Sequence, residues 1–320
     1  MLTALVTGAG GFIGHHMVRF LKQKGYYVVA ASRSLPKFSA SEADEYFTGD
    51  LRCVEFTRTL FNRHFDEIFH FAADMGGAGY TFSHKNDADI MQNSLRMSLN
   101  LLSLIAEGNS AQTKVFYPSS ACVYPKLEPD SPGYPNCTEH LAYPANPESD
   151  YGWEKIFSER LYESYRRNYG INIRIARLHT IIGTDCIYEG GKEKVPAALA
   201  RKVIQAKNGD AVTIWGDGNQ TRSFLYIDDC LDAIYRLMQS DCYQPLNIGS
   251  DELISINELA NKLIALSGNN LSIEHIEGPI GPAARNSDNR LITQMLGWRP
   301  EVSVDEGLKK TYDWIKRQMS

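Results

Sequence analysis

Two kinds of apolar pattern take turns along this chain. Residues 2–7, 27–31, 67–73, 114–118 and 171–178 are short apolar runs that predict buried strands, whereas 12–24, 88–107 and 151–169 carry apolar residues at helical spacing. The first helical stretch gives way at Gly25, a common helix stop. Strands and helices in alternation predict right-handed crossovers and a parallel sheet covered by helices on both faces.

The second half is less regular. A Gly/Lys segment at 189–194 precedes predicted helices at 196–207, 228–239, 256–266 and 304–319, with short strands at 212–215 and 223–227. This half reads as a smaller domain that completes a cleft at the carboxyl ends of the sheet strands, where doubly wound folds bind ligands. The proline-rich stretch 124–147 reads as an ordered surface loop.

Composition bounds the function classes. The chain has 320 residues, 43% hydrophobic and 22% charged, which is ordinary for one large or two medium domains of ~100–200 residues each. Lys+Arg 33 against Asp+Glu 38 leaves a net charge of −5, so the overall field favours neither nucleic acid nor an anionic membrane. No stretch approaches the ~18 apolar residues of a membrane span. Six scattered cysteines show no Cys-x-x-Cys pair or zinc-like spacing, and no leader-like segment stands before the first strand. These features predict a reduced, cytoplasmic protein with no metal site.

Between the first strand and helix lies Thr7-Gly8-Ala9-Gly10-Gly11-Phe12-Ile13-Gly14, with Gly8, Gly11 and Gly14 at G-x-x-G-x-x-G spacing. Glycines there permit a tight turn and let backbone amides meet a pyrophosphate at the helix N-terminus. The fold class expected is therefore α/β, a Rossmann-type doubly wound parallel sheet with a smaller mixed α/β C-terminal substrate domain. The second strand ends in Ala31-Ser32-Arg33-Ser34, without the acidic residue that takes ribose hydroxyls. Ser32 and Arg33 suit a ribose 2′-phosphate, so of NAD and NADP the sequence favours NADP. Arg33 as a plain solvated charge is the other reading. Asp50, beside Leu51, stands where an adenine-edge contact is expected, or serves as a turn aspartate.

Tyr151 and Lys155 form a Tyr-x-x-x-Lys pair on one helix face. Tyr188/Lys192 and Tyr312/Lys316 match the same pattern, so context must choose. Ser119-Ser120-Ala121-Cys122 follows an apolar strand upstream of Tyr151 and supplies a hydroxyl for the same substrate oxygen. A free phenol, with a pKa of ~10, is a poor base, but a nearby ammonium and a positive nicotinamide favour phenolate. Tyr151 then takes a carbinol proton, Ser120 holds the oxygen, and Lys155 lowers the tyrosine pKa and holds the ribose.

The glycine loop, Ser120, Tyr151 and Lys155 resemble the extended short-chain dehydrogenase/reductase superfamily. Within it, Ala72-Ala73-Asp74-Met75-Gly76-Gly77, Glu193-Lys194, Trp215-Gly216-Asp217-Gly218, Gln220-Thr221-Arg222-Ser223-Phe224 and Arg285-Asn286-Ser287-Asp288-Asn289 resemble the GDP-mannose 3,5-epimerase family. The resemblance runs from residue 7 to 289. It implies a GDP-sugar substrate, oxidation at C4, inversion at C5 and then C3, and return of the hydride. A C4 ketone acidifies the hydrogens on both neighbouring carbons, and inversion needs proton carriers on opposite faces. The resemblance assigns these to Cys122 and Lys194. It further implies cofactor contacts from Gly8, Gly11, Phe12, Ile13, Gly14, Ser32, Arg33, Asp50, Leu51, Ala72, Tyr151 and Lys155. Substrate contacts fall to Gly76, Ser119, Ser120, Cys122, Thr180, Glu193, Lys194, Lys202, Gln220, Arg222 and Arg285, with both arginines as diphosphate forks. Asp217 and Asn219 are expected as turn residues and Trp215 as core. A homodimer is the usual assembly of the superfamily.

The expected division places a dinucleotide-binding domain at 1–178 plus roughly 222–250, and a nucleotide-sugar domain at 179–221 and 251–320. His179-Thr180-Ile181-Ile182-Gly183-Thr184 departs from the family's His-Asn-Ile-Tyr-Gly-Pro run, which leaves the exact hexose or heptose open. The alternative reading is an NADPH-dependent reductase or epimerase-reductase of a GDP-4-keto sugar; cofactor stoichiometry separates the two. A non-enzymatic dinucleotide sensor is the remaining rival, against which Tyr151, Lys155, Cys122 and Lys194 together speak.

Overall fold

The computed structural model describes residues 1–108, 112–131 and 133–320. Strands β1 (Thr3–Thr7), β2 (Tyr27–Ser32), β3 (Glu45–Thr48), β4 (Glu67–His70), β5 (Lys114–Ser120), β7 (Asn172–Leu178) and β11 (Leu246–Ile248) form one seven-stranded sheet in the order β11-β7-β5-β4-β1-β2-β3. Every neighbouring pair in it is parallel. The chain order reverses between β1 and β4, so the carboxyl ends of those strands open the crevice in which such sheets hold ligands.

Strand alternation explains how the sheet is buried on both sides. Leu5 on β1 packs into one core cluster with Leu101 and Leu102 of α4 (Asp87–Glu107) and Tyr162 of α5 (Asp150–Tyr169). Its neighbours Ala4 and Val6 face the opposite cluster, with Met17 and Leu21 of α1 (Phe12–Gln23) and Ile234 of α7 (Ile227–Gln239). Truncating any one of these buried leucines to alanine costs about 2–5 kcal/mol.

The remaining strands are β6 (Asn136–Cys137), β8 (Thr180–Ile182), β9 (Ala211–Trp215), β10 (Thr221–Tyr226), β12 (Leu253–Ser255), β13 (Ser272–Ile276) and β14 (Ala284–Ser287). They build a mixed sheet in the order β12-β10-β14-β6 with β8 beside β10, and a separate parallel pair β13-β9. α2 (Val54–Leu60) flanks the large sheet, its Leu60 in the cluster with Leu5 and Leu101; the other helices are α3 (Ala78–Thr81), α6 (Val195–Gln205), α8 (Ile256–Ser267), α9 (Arg290–Leu296) and α10 (Val304–Met319). The expected doubly wound α/β class and mixed C-terminal part are what the structure shows.

Two expectations need correction. The strand predicted over 67–73 ends at His70, because 71–76 leaves the sheet to wall the cleft. Ile227 begins α7 rather than closing a strand. The described residues of 124–147 are mostly loop with many exposed positions, as expected, and the stretch is anchored where β6 pairs with β14 and where Tyr124, Leu127, Cys137 and Ala142 are buried in a cluster of their own. Among the described residues, no helix is long and apolar enough to cross a membrane.

Candidate active site

A cleft of about 430 Å³ runs from the β1–α1 turn across the ends of β4 and β5 to the start of α6. Gly8 turns at φ +69°, and a Cβ there would lie 2.6 Å from the Phe71 carbonyl carbon, so only glycine lets the turn sit against the end of β4. Gly11 precedes α1 without a side-chain cap, which leaves the helix's first amides free for an anion. Phe12, Ile13, Gly14, Ser32, Arg33, Leu51 and Ala72 line the same cleft. The cradle thus fits a dinucleotide pyrophosphate.

The adenosine end departs from expectation at Asp50. Its carboxylate is gripped by Arg52, through Nε at 3.0 Å and a closer contact from Nη2, so it is neutralised by that partner instead of standing free for adenine. The Arg52 hydrogen bond holds its carboxyl below the usual range. The Leu51 carbonyl is likewise taken, by the Thr57 hydroxyl and the Asn100 amide.

At the centre, Ser149 caps α5 by accepting from the Gly152 amide at 3.2 Å. A Cβ on Gly152 would fall 2.2 Å from the Cys122 carbonyl oxygen. Glycine at the first x of Tyr-x-x-x-Lys therefore lets the turn that carries Cys122 press against the helix end that carries Tyr151. Ser120, the last residue of β5, accepts from the Cys122 amide at 3.2 Å and opposes the upward push that burial exerts on the Tyr151 phenol. Burial, then the neighbouring Cys122 and Glu154, raise that phenol well above its ordinary value.

Lys155 is held by neighbours on β5 and α5. Its ammonium donates to the Tyr117 hydroxyl at 3.2 Å, lies 3.3 Å from the Glu154 carboxylate, and is 5.6 Å from the centre of the Tyr151 ring. Burial, more than any neighbouring charge, favours the neutral form of the Tyr151 phenol.

Lys194 ends the 189–194 segment and directly precedes α6, with its side chain in the cleft wall. Among the described residues it has no hydrogen-bond or ion-pair partner. Burial pushes its pKa down, opposed by Cys122 and then by Cys230. The turn that carries Cys122 packs against the end of α5 that carries Tyr151, and its thiol contributes to the electrostatics of Tyr151, Lys194 and Arg222.

The two arginines expected at a diphosphate divide. Arg222 and Arg285 are paired across β10 and β14. Arg222 donates only to the Thr221 carbonyl and has no carboxylate partner among the described residues; burial, and then Arg285, push its pKa down to about 10. Arg285 instead binds Glu148 at 2.7 Å and the Tyr124 and Pro125 carbonyls. Its fork is committed to holding the 124–148 loop, which corrects the expectation of a free diphosphate partner.

The other substrate expectations also sort by geometry. Gly76 lines the cleft. Ser119 reaches the cleft but donates to buried Glu159, which also binds Arg177 at 2.8 Å. Glu193 accepts from the Gly191 amide at 2.6 Å and faces Arg201, away from the cleft that its neighbours Lys192 and Lys194 line. Thr180 sits between the lining residues His179 and Ile181. Lys202 donates to the Thr213 carbonyl at 2.7 Å and Gln220 to the Trp215 carbonyl at 3.1 Å, so both brace β9. Trp215 is 40% exposed rather than core, while Asp217 and Asn219 form the expected turn. Sequence reasoning missed Arg52, Asn93, His179 and Lys192 as cleft residues; Tyr188/Lys192 drew attention only as a spurious motif.

A glycine cradle with a serine, a tyrosine and two lysines in one cleft fits a dinucleotide-dependent enzyme. The chain belongs to the NAD dependent epimerase/dehydratase family, whose model matches residues 4–249. It is similar to GDP-mannose 3,5-epimerase of Arabidopsis thaliana, at 41% identity over 98% of this chain and 82% of the relative. UDP-glucuronic acid 4-epimerase from Bacillus cereus, solved in complex with UDP-glucuronic acid and NAD, superposes with TM-score 0.83 at 26% identity, covering 99% of this chain and 100% of that one. UDP-glucose 4-epimerase from Thermotoga maritima shares the fold at TM-score 0.88 and 24% identity, with both chains fully covered.

Proposed function

We propose that this enzyme epimerises a GDP-hexose of the GDP-mannose kind at C5, C3 or both, after transient oxidation at C4. The observation that carries this reading is a single cleft lined by the glycine turn, Ser120, Tyr151, Lys155 and Lys194, with the turn that carries Cys122 pressed against the start of α5. The similarity to the plant enzyme supports it.

When bound, the dinucleotide supplies reversible oxidation of the C4 carbinol. Ser120 and Tyr151 hold the C4 oxygen, and Tyr151 takes its proton. The ketone acidifies the hydrogens at C3 and C5, and Cys122 and Lys194 serve as base and acid for the flanking carbons. Burial of Lys194 suits it to the second role, since a depressed ammonium gives up a proton near neutral pH more readily. Arg222, buried without a carboxylate, supplies the charge that a diphosphate neutralises.

The parts 179–221 and 251–320 serve as the sugar-nucleotide side of the cleft. Ser32 and Arg33, with no acidic residue at the end of β2, favour NADP over NAD. A homodimer is supported by an apolar face on α4 and α5, where Met91, Trp153 and Phe157 are exposed. A cytoplasmic setting keeps Cys122 a thiol.

The test is turnover of a panel of GDP- and UDP-sugars in heavy water, with products and label read by NMR and cofactor absorbance followed in the same tube. Deuterium at C5 or C3 with no net change in cofactor is expected. Stoichiometric consumption of NADPH would establish the reductase reading, which the Ser32–Arg33 pair favours. Product without label at those carbons overturns the epimerase mechanism.

A further inference from the structure

Lys194 must hold a defined place against the substrate, yet no side-chain bond fixes its ammonium. What fixes it is the segment before it. The Lys192 carbonyl accepts from the Gly77 amide at 3.0 Å, and a Cβ on Gly77 would lie 2.2 Å from the Glu193 carbonyl oxygen. The Lys192 ammonium binds Asp74 Oδ1 at 2.9 Å and sits 3.9 Å from the centre of the Tyr80 ring. Asp74 is itself immobilised from the dinucleotide side: its amide donates to Ser94 Oγ at 3.0 Å, and its carboxylate accepts from Asn93 at 2.8 Å and from the Tyr80 hydroxyl at 2.9 Å. Arg52, at the adenosine end, donates to Asn93 at 2.9 Å.

We propose that Asp74 and Lys192 are positioning residues: their ion pair ties the 189–194 segment to the end of β4 and thereby sets Lys194 against Cys122 and the substrate. An exposed ion pair alone contributes little. This carboxylate has three side-chain donors and this ammonium also has an aromatic face, so the geometry is overdetermined. Only Glu193 separates Lys192 from Lys194, so slack in the tie moves the ammonium directly. Misplacement of a catalytic group by about 1 Å costs on the order of 100-fold in rate.

The inference takes its choice of Lys194 from the epimerase reading, and two measurements let the two fail separately. The first needs no sugar. Alkylation of Cys122 by iodoacetamide in cofactor-loaded protein, read from the Cys122 peptide by mass spectrometry, reports the ammonium beside the thiol. Lys194→Met is expected to slow it roughly three- to tenfold. Lys192→Met and Asp74→Asn should fall most of the way to that floor, and Lys192→Arg should stay near wild type; Lys192→Gln repeats the comparison should Lys192→Met not fold. The second measurement is deuterium incorporation relative to C4 oxidation in heavy water. Lys192→Met should lower that ratio about tenfold or more, with Lys192→Arg restoring it.

Wild-type alkylation in Lys192→Met beside slow alkylation in Lys194→Met overturns the tie and leaves the epimerase reading standing. Unchanged alkylation in Lys194→Met removes the coupling through which the tie acts and overturns it as well. Expected alkylation rates in a protein whose wild type incorporates no deuterium uphold the tie and reject the epimerase reading.

Discussion

Arg222 and Arg285 occupy paired positions on β10 and β14, but only Arg285 has a carboxylate against it. The same register therefore sets an ion-paired cation beside one with no carboxylate against it among the described residues. Arg222→Met should weaken binding of the sugar nucleotide about 10- to 100-fold, the loss of a charge-assisted contact, with little change in melting temperature. Arg285→Met strands the partly buried Glu148 and should destabilise the fold by about 2–3 kcal/mol. Titration calorimetry with GDP and urea unfolding of both variants separate the two roles.

Removing either proton carrier should spare the redox half of the reaction. Cys122→Ala and Lys194→Met are each expected to lower epimer formation by about 100-fold or more while C4 oxidation persists. Transient cofactor reduction under single-turnover conditions measures the surviving step. A Cys122→Ala enzyme with wild-type epimer yield would exclude the thiol.

Stability should fall in mild acid. Burial pushes His179 and His15 down to about 4 and His70 to about 3, so all three are neutral in the folded state at neutral pH. Unfolded histidine titrates near 6.5, so below that pH the unfolded chain binds protons that the folded chain refuses. The stability present above pH 6.5 is lost as pH drops toward 4, at up to about 1.4 kcal/mol per pH unit for each histidine. Urea midpoints at pH 7, 6 and 5 give the slope, and His70→Asn should reduce it by one proton's worth.

Cofactor choice should respond to Arg33. Arg33→Ala is expected to weaken NADP binding about tenfold, the scale of one lost charge-assisted contact, while NAD binding stays within a factor of two or so. Fluorescence titration with both dinucleotides decides it; equal losses would mean that Arg33 packs on the adenosine without reading a phosphate.

The exposed α4–α5 face predicts the assembly. Trp153 and Phe157 lie one helical turn apart and are 41% and 54% exposed, which is costly for a monomer to leave in water. Phe157→Glu should shift a dimer to monomer in light scattering and leave the active site intact. A wild-type protein that runs as a monomer removes this interface.

Much of this architecture is legible in the chain because continuous apolar runs mark strands buried on both faces, as in β1 and β5, and helical spacing marks a helix with one buried face, as in α1. The two edge strands are not legible. β3 has no fully buried residue and β11 has three residues, so neither carries an apolar signal. β14 is wholly buried yet reads Ala-Arg-Asn-Ser, and Arg285 and Asn286 find Glu148 and Asn136, partners distant in sequence. The site divides in the same way. Ser120, Cys122, Tyr151 and Lys194 are marked by local motifs, whereas the commitment of Arg285 to Glu148 and of Lys155 to Glu154 depends on tertiary neighbours. Composition also hides Lys192, which resembles any solvated lysine until Asp74 and Tyr80 are placed against it.

Ser119 and Ser120 stand side by side in β5 and both reach the cleft, with the Ser119 hydroxyl joined to buried Glu159 and the Ser120 hydroxyl held by the Cys122 turn. Inserting or deleting a single residue upstream in that strand would exchange them, putting the scaffold serine where the proposed mechanism needs Ser120. The parity of β5 is thus itself under functional constraint, and length variation in this enzyme is better tolerated in the loops on either side than within those seven residues.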